Sequence, residues 1–167
     1  MSNVEVRVSK DFYPVVGSTR DAVLRSIDEK GPHKGGDHFV AYTSWDVTWG
    51  FELRDVRGLL HVVSPFASVG AHVILPSWKD KTKAPKDLRE HVEKSIDAIQ
   101  KHESEHVAMA IEAGDKALKK LRSIRPARDL DRKRIDGLVG AEIAAIQKRE
   151  RWHDKVTKNG ITQGTWI

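Results

Sequence analysis

The pattern of hydrophobic and polar positions changes its period half-way along the chain. Between residues 38 and 53, apolar and polar side chains alternate, which is typical of a strand that buries one face. The inward face of this strand is formed by Phe39, Ala41, Thr43, Trp45, Val47, Trp49, Phe51 and Leu53. Alternating runs at residues 4–8, 59–64 and 68–75 predict further strands, with an interruption near Pro65. We therefore expect a small antiparallel sheet in the first 80 residues.

One short helix is expected within this region. Ser18 and Thr19 are suited to cap a helix that continues to about Lys30. The segment that follows, residues 31–37, contains three glycines and one proline and predicts a loop.

The second half of the chain has the longer helical period. A helix is predicted from about Pro85 to Ser123, and another from about Asp129 to Val156, with the turn near Pro126. We therefore predict a single α+β domain over residues 1–167. Residues 1–80 form the sheet and its one short helix, residues 84–157 form a long antiparallel helical hairpin, and residues 158–167 form a C-terminal tail.

Composition narrows the class of protein. The chain has 167 residues, no cysteine and a formal net charge of +5. Without cysteine, any bound metal must be held by histidine and carboxylate side chains. No apolar run is long enough for a membrane span, and no N-terminal signal peptide is evident. Basic residues concentrate at residues 79–86 and 119–134 without interleaved aromatic residues, which favours a solvated surface over a nucleic-acid site.

The candidate chemistry lies in the sequence His102-Glu103-Ser104-Glu105-His106, which has the form H-E-x-x-H. Two histidines four residues apart on a helix point the same way and can bind one Zn²⁺, with the glutamate placed to take a proton from a zinc-bound water. Glu103 and His106 fall on the apolar stripe of the first long helix, and His102 borders it, whereas Glu105 and His91 fall off it and are expected to face solvent. Burying such side chains is costly unless a metal or another partner pairs with them.

A third zinc ligand must come from elsewhere in the chain. If the two long helices are antiparallel, the level of His102–His106 corresponds to about residues 143–155 of the second helix. That window contains Glu150, His153 and Asp154, with Glu142 just outside it. His153 follows Ile146 and Arg149 at inward positions, so it is expected to face the first helix. Spacing alone leaves all of these candidates open.

Several short motifs occur in an order that resembles a bacterial family of predicted zinc-dependent proteases, long known as a domain of unknown function. The motifs are Tyr13-Pro14-Val15, Gly17-Ser18-Thr19, Gly31-Pro32, Thr43-Ser44-Trp45-Asp46-Val47-Thr48-Trp49, Leu75-Pro76-Ser77-Trp78, the H-E-x-x-H sequence and the tail His153–Gly164. The resemblance covers almost the whole chain and implies a zincin-like fold.

This chain departs from the family pattern at two tail positions. The family has tyrosine where this chain has His153, and histidine where it has Asn159. The resemblance and the geometric window together favour Asp154 as the third ligand. Thr157 and Gln163, in the same tail motif, are candidates to orient the ligands. Members of the family are often exported, whereas this chain shows no signal, so we expect either a cytoplasmic protein or export by a route that needs no N-terminal signal.

The sequence therefore predicts a zinc metallopeptidase acting on a peptide or protein substrate. In this hypothesis His102, His106 and Asp154 hold the zinc, Glu103 is the general base and His153 helps to stabilise the oxyanion. The alternative is a non-catalytic binding module, stabilised by metal or not, whose basic surface binds an acidic partner. The two hypotheses differ in whether the purified protein contains about one zinc ion per chain.

Overall fold

A computed structural model describes residues 3–165 and residue 167, and within them the chain has the predicted α+β composition. The strands are β1 (Glu5–Val15), β2 (His33–Lys34), β3 (Asp37–His38), β4 (Tyr42–Val56) and β5 (Leu59–Trp78). The helices are α1 (Arg20–Lys30), α2 (Lys86–Ser123) and α3 (Arg132–Thr157), and 3-10 turns cover Lys81–Lys83 and Ile161–Gln163. None of the helices described is long and apolar enough to cross a membrane.

Strands β4 and β5 form a tight hairpin. Arg57 and Gly58 connect them and have φ angles of 56° and 78°, as a two-residue hairpin turn requires. The predicted alternation in β4 is confirmed, since Thr43 and Phe51 are buried whereas Ser44 and Glu52 are exposed. A connection of only two residues forces the two strands to be antiparallel.

The interruption predicted near Pro65 is wrong, because β5 continues through it as one strand of 20 residues. Ser64 has a φ angle of 51° inside the strand, which marks a local irregularity of the kind found at a bulge. Proline is tolerated at such a point because its missing N–H removes no regular ladder hydrogen bond.

Strand β1 also differs from the prediction. The strand order is β1-β5-β4, with β2 and β3 as a separate antiparallel pair. Ser9 contacts His72, and the Lys79 amide donates to the Val15 carbonyl at 2.9 Å, so β1 and β5 run in the same direction. The expectation of an entirely antiparallel sheet was therefore wrong. The tight hairpin fixes only the direction of β4 against β5, and the long connection through α1 allows β1 either direction.

The described chain divides into two compact units. The first combines the segment up to Arg7 with Trp45–Ala71 and Val107–Trp152, and the second combines Val8–Ser44, His72–His106 and His153–Ile167. Helices α2 and α3 contribute to both units. The single domain expected from the sequence stays a prediction.

The first unit has an apolar core between the hairpin strands and the two long helices. The core consists of Phe51, Ala67, Ala117, Leu118, Leu121, Ile135, Val139 and Ile143. Lys120 lies 2.9 Å from Glu142, and Arg149 Nη1 donates to Glu112 Oε1 at 3.0 Å, so α2 and α3 are antiparallel here as predicted. Arg149 was expected to face inward but is exposed, because its guanidinium group reaches the carboxylate of Glu112 at the surface.

The second unit has its own buried side chains from strands and helices. They include Val15, Val23, Ile27, Val73, Leu75, Trp78, Val92 and Ile99. Thr19 caps α1 as predicted, accepting a hydrogen bond from the amide of Ala22. Trp78 Nε1 donates to the Gly17 carbonyl at 2.9 Å, which fixes the chain between β1 and α1 to the end of β5. All the residues of the candidate site described below belong to this unit.

Candidate metal centre

The three characteristic residues of the H-E-x-x-H sequence are buried. The exposed fractions of His102, Glu103 and His106 are 4%, 6% and 6%. They continue the inward stripe of α2 that contains Ile99 one turn earlier. The expectation that this motif interrupts an apolar face is confirmed, and a buried polar group must be paired to avoid a large desolvation cost.

Asp154 of α3 meets the two histidines. His102 Nε2 lies 3.1 Å from His106 Nε2, and Asp154 Oδ1 lies 3.4 Å from the former and 3.0 Å from the latter. The three atoms thus form a nearly equilateral triangle. Asp154 falls inside the window predicted from the antiparallel helices, and it is the candidate that the sequence analysis favoured.

The triangle has the dimensions of a zinc site. Ligand atoms about 2.0 Å from a tetrahedral zinc ion lie about 3.3 Å from one another. The three separations of 3.0–3.4 Å are close to this value. Two imidazoles and one carboxylate also match the ligand types that zinc accepts in proteins without cysteine.

The tautomer of His102 is set by Gln163 and Glu105. Gln163 Nε2 donates to Glu105 Oε2 at 2.9 Å, and a carboxylate can only accept, so the amide nitrogen of Gln163 must face Glu105. The amide oxygen then faces His102 Nδ1 at 2.7 Å, which makes Nδ1 the donor. In neutral His102 the lone pair is therefore on Nε2, the atom that faces His106 and Asp154. Such partners are known to orient metal-binding histidines.

The C-terminal tail packs directly against His102. Gly160 has a φ angle of 85°, and a Cβ atom added to it would lie 3.1 Å from His102 Cγ and 2.5 Å from Thr165 Cγ2. Thr157 Oγ1 accepts a hydrogen bond from the Gly160 amide at 3.2 Å, which stabilises the start of the turn. Glycine is required here for both its conformation and its small size. The tail thereby brings Gln163 to the histidine.

Glu103 is held by Thr43 of β4, whose hydroxyl donates to Glu103 Oε2 at 2.5 Å. Burial raises the pKa of Glu103 above its ordinary value, although the Thr43 hydrogen bond and the nearby histidines act in the opposite direction. The sequence pattern places Thr43 on the inward face of β4 but assigns it no function. The signal that the sequence offered for this contact was a polar residue, Thr43, at an inward position among apolar ones.

The carboxylate of Asp154 and the imidazole groups of His102 and His106 stabilise one another's charged forms. Burial disfavours the charged form of Asp154, but hydrogen bonds from His102 and His106, with their charges, hold its pKa well below the usual range. Burial likewise acts against protonation of His102, yet its hydrogen bonds with Asp154 and Gln163 raise its pKa overall. Asp154 is thus kept as the anion, which is the form that binds a metal ion.

His153 faces α2 as predicted, with its ring stacked on that of His102 at a centroid distance of 5.2 Å. Its Nε2 atom lies 2.9 Å from Glu105 Oε2. Glu105 was expected to face solvent, and this was wrong. It is only partly exposed, because the tail and α3 cover the side of α2 on which it lies, and it contacts both His153 and Gln163.

The other ligand candidates have different partners. Glu150 Oε1 accepts from Trp45 Nε1 at 2.7 Å, and Glu142 Oε1 lies 2.9 Å from Lys120 Nζ. Asn159 is exposed and has a left-handed backbone, with a φ angle of 54° at the end of α3. The groups of potential metal-binding side chains found among the described residues are His102, His106 and Asp154, and His102, Glu105 and His153.

The described fold is thus an α+β chain with a buried cluster of histidines and carboxylates. A family model described as "Bacterial protein of unknown function (DUF922)" matches residues 10–160, and the chain belongs to this family. The resemblance to a bacterial family of unknown function is confirmed by this match. No curated protein and no solved structure matches the chain.

Proposed function

We propose that the protein is a zinc-dependent metallopeptidase with a zincin-like site. The observation that carries the proposal is the triangle of His102 Nε2, His106 Nε2 and Asp154 Oδ1, with edges of 3.0–3.4 Å. Three protein ligands with one position left for water or substrate are the pattern of catalytic zinc sites, whereas structural sites have four protein ligands. The sequence resemblance to predicted zinc-dependent proteases supports a peptide as substrate.

A zinc ion held by these residues would supply Lewis-acid polarisation of a carbonyl group and lower the pKa of a water molecule. Glu103 then serves as the general base, accepting a proton from the attacking water and giving it to the leaving amine. Its raised pKa suits this exchange, because a more basic carboxylate accepts the proton of the water more readily.

Thr43 and Gln163 act as positioning residues in this proposal. Thr43 fixes one carboxylate oxygen of Glu103, so the other oxygen is left to exchange protons. Gln163 fixes the ring orientation and tautomer of His102. The role of His153 in stabilising an oxyanion stays a prediction, supported by its position beside His102.

The proposal is tested by the Glu103→Gln variant of the full chain. We expect zinc content to stay near that of the unchanged protein, because Glu103 is not among the three ligands. Hydrolysis of a fluorescently labelled unfolded protein should fall by about 10²–10⁴-fold, the usual contribution of a general base.

The matched control is Glu90→Gln, an exposed glutamate on the same helix. This variant should keep both zinc and activity. Full activity in the Glu103→Gln variant would contradict the mechanism. If the unchanged protein, loaded with zinc, cleaved no peptide bond in a broad mixture of unfolded proteins, the metallopeptidase proposal itself would be wrong.

A further inference from the structure

Glu105 and His153 form a second group of metal-binding type next to the first. Together with an imidazole nitrogen of His102, their donor atoms all lie within 4.8 Å of one another. Neither Glu105 nor His153 is needed to hold the ion of the proposed function. The two side chains are therefore candidates for a separate role.

The His153 Nε2 atom is buried and has no hydrogen-bond partner among the described residues, although it lies only 2.9 Å from Glu105 Oε2. The two atoms are thus close, but the contact lacks the linear N–H···O direction of a hydrogen bond. Unsatisfied buried polar atoms are rare in native proteins, and some of them are ligands of a bound ion. An imidazole nitrogen without a hydrogen-bond partner, beside a carboxylate oxygen, has a lone pair that a bound cation can take.

The charges of the site leave room for a second cation. Three carboxylates, those of Glu103, Glu105 and Asp154, lie at this level of the two long helices. One Zn²⁺ ion balances two of them, with Asp154 as its ligand and Glu103 beside it. Glu105 is the carboxylate that remains, and its ion pair among the described residues is with His153.

We propose that Glu105 and His153, with His102 as a shared third donor, form a second and weaker Zn²⁺ site whose occupation inhibits the enzyme. To act as the third donor, His102 Nδ1 has to lose its proton to solvent and leave Gln163, with which it makes a 2.7 Å hydrogen bond. This requirement makes the second ion weaker than the first.

The inhibitory part of the proposal rests on the proposed function, whereas the binding part does not. A second ion withdraws His153 from the substrate. It also pulls His102 away from the amide that fixes its tautomer. We therefore expect hydrolysis to fall when free zinc exceeds the amount that fills the first site.

The test is a calorimetric zinc titration of the metal-free full chain. His33 and His38 are replaced by glutamine in every protein used, so that this exposed pair, whose ring centroids lie 4.0 Å apart, contributes no binding event. We expect two binding events, the second at least 10-fold weaker than the first. His153→Tyr, which introduces the residue of the resembling family, should abolish the second event and keep the first. His91→Tyr, at an exposed histidine of α2, should keep both.

A single binding event in the protein that retains Glu105 and His153, or two events in the His153→Tyr variant, would overturn the proposal. Inhibition is measured separately, as the ratio of activity at excess zinc to activity at one equivalent within each variant. This ratio should be well below one in the protein that carries only the His33 and His38 replacements. It should return to about one when Glu105→Gln is added. Two binding events without any hydrolysis would contradict the proposed function but leave the second site in place. Hydrolysis with a single binding event would contradict the second site and leave the proposed function in place.

Discussion

Two stretches of α2 differ in the polarity of the side chains that they bury. From Ala110 to Leu121 the buried side chains are apolar, and Ala110, Ala113, Ala117 and Leu121 are each 0% exposed. From His102 to His106 the buried side chains are imidazoles and a carboxylate, none more than 6% exposed. The first stretch is stabilised by burial itself, at about 25 cal/mol per Å² of apolar surface. The second costs free energy unless it is paired, and its side chains are paired with Thr43, Asp154 and Gln163.

The largest effect should come from removing the carboxylate that completes the polar stretch. Asp154→Ala is expected to lose zinc and hydrolysis together, because only two protein ligands remain. Zinc content after dialysis and activity measure the result. Glu150→Ala, which removes the rival candidate in the same region of sequence, should retain zinc. Loss of zinc in the Glu150 variant with retention in the Asp154 variant would show that the third ligand has been wrongly assigned.

The apolar stretch should respond in the opposite manner. Leu121→Ala removes a side chain that is fully buried in the core of the first unit, and such changes cost about 2–5 kcal/mol of unfolding free energy. Urea denaturation of the metal-free protein measures this loss. Zinc affinity of the folded variant should be unchanged. A variant that keeps its stability but loses zinc would break the distinction between the two stretches.

A smaller effect is expected where the tail meets the polar stretch. Gln163→Ala removes the acceptor for His102 Nδ1 and should weaken zinc binding by about 10–100-fold, as loss of such partners usually does. Competition with a chromophoric chelator measures the affinity. Gln100→Ala changes an exposed glutamine of α2 and provides the comparison. Equal affinities in the two variants would remove the role assigned to Gln163.

The smallest effect concerns pH. Activity requires ionised Glu103, so it should be lost as the pH falls through the raised pKa of this residue. The Thr43 hydrogen bond lowers that pKa, and Thr43→Val should therefore move the acid limb of kcat/KM to higher pH by about one unit. Thr48→Val, at an exposed position of β4, should leave the limb in place. A shift to lower pH would contradict the assignment of Glu103 as the base.

Periodicity predicted the long helices and β4 well, because each has one strongly apolar face. It also placed Asp154 at the level of the histidines, since helix length and antiparallel packing together restrict which residues can meet. The direction of β1 and the continuity of β5 through Pro65 were not predictable in this way. They depend on pairing between distant segments and on an unusual backbone angle at Ser64, neither of which leaves a local pattern.

Glu105 shows why the remainder of the site was missed. A helical stripe describes only one face of α2, and Glu105 lies beside that face. It contacts the site because α3 supplies His153 and the tail supplies Gln163, and both come from sequence 48 or more residues away. Thr43 was on the correct face and begins one of the motifs of the resembling family, but neither observation indicated its contact with Glu103. For both residues, the contact with the site depends on a partner from a distant part of the chain rather than on local sequence.

The central claim is that the buried polar stretch of α2 holds zinc through two histidines and one carboxylate. Its most direct test is zinc-edge X-ray absorption spectroscopy on protein purified without added metal. We expect about one zinc ion per chain, coordinated by two imidazole nitrogens and otherwise by oxygen, with the imidazole signal reduced in His106→Ala. A protein that retains no zinc, or whose zinc has no imidazole ligand, would contradict the claim.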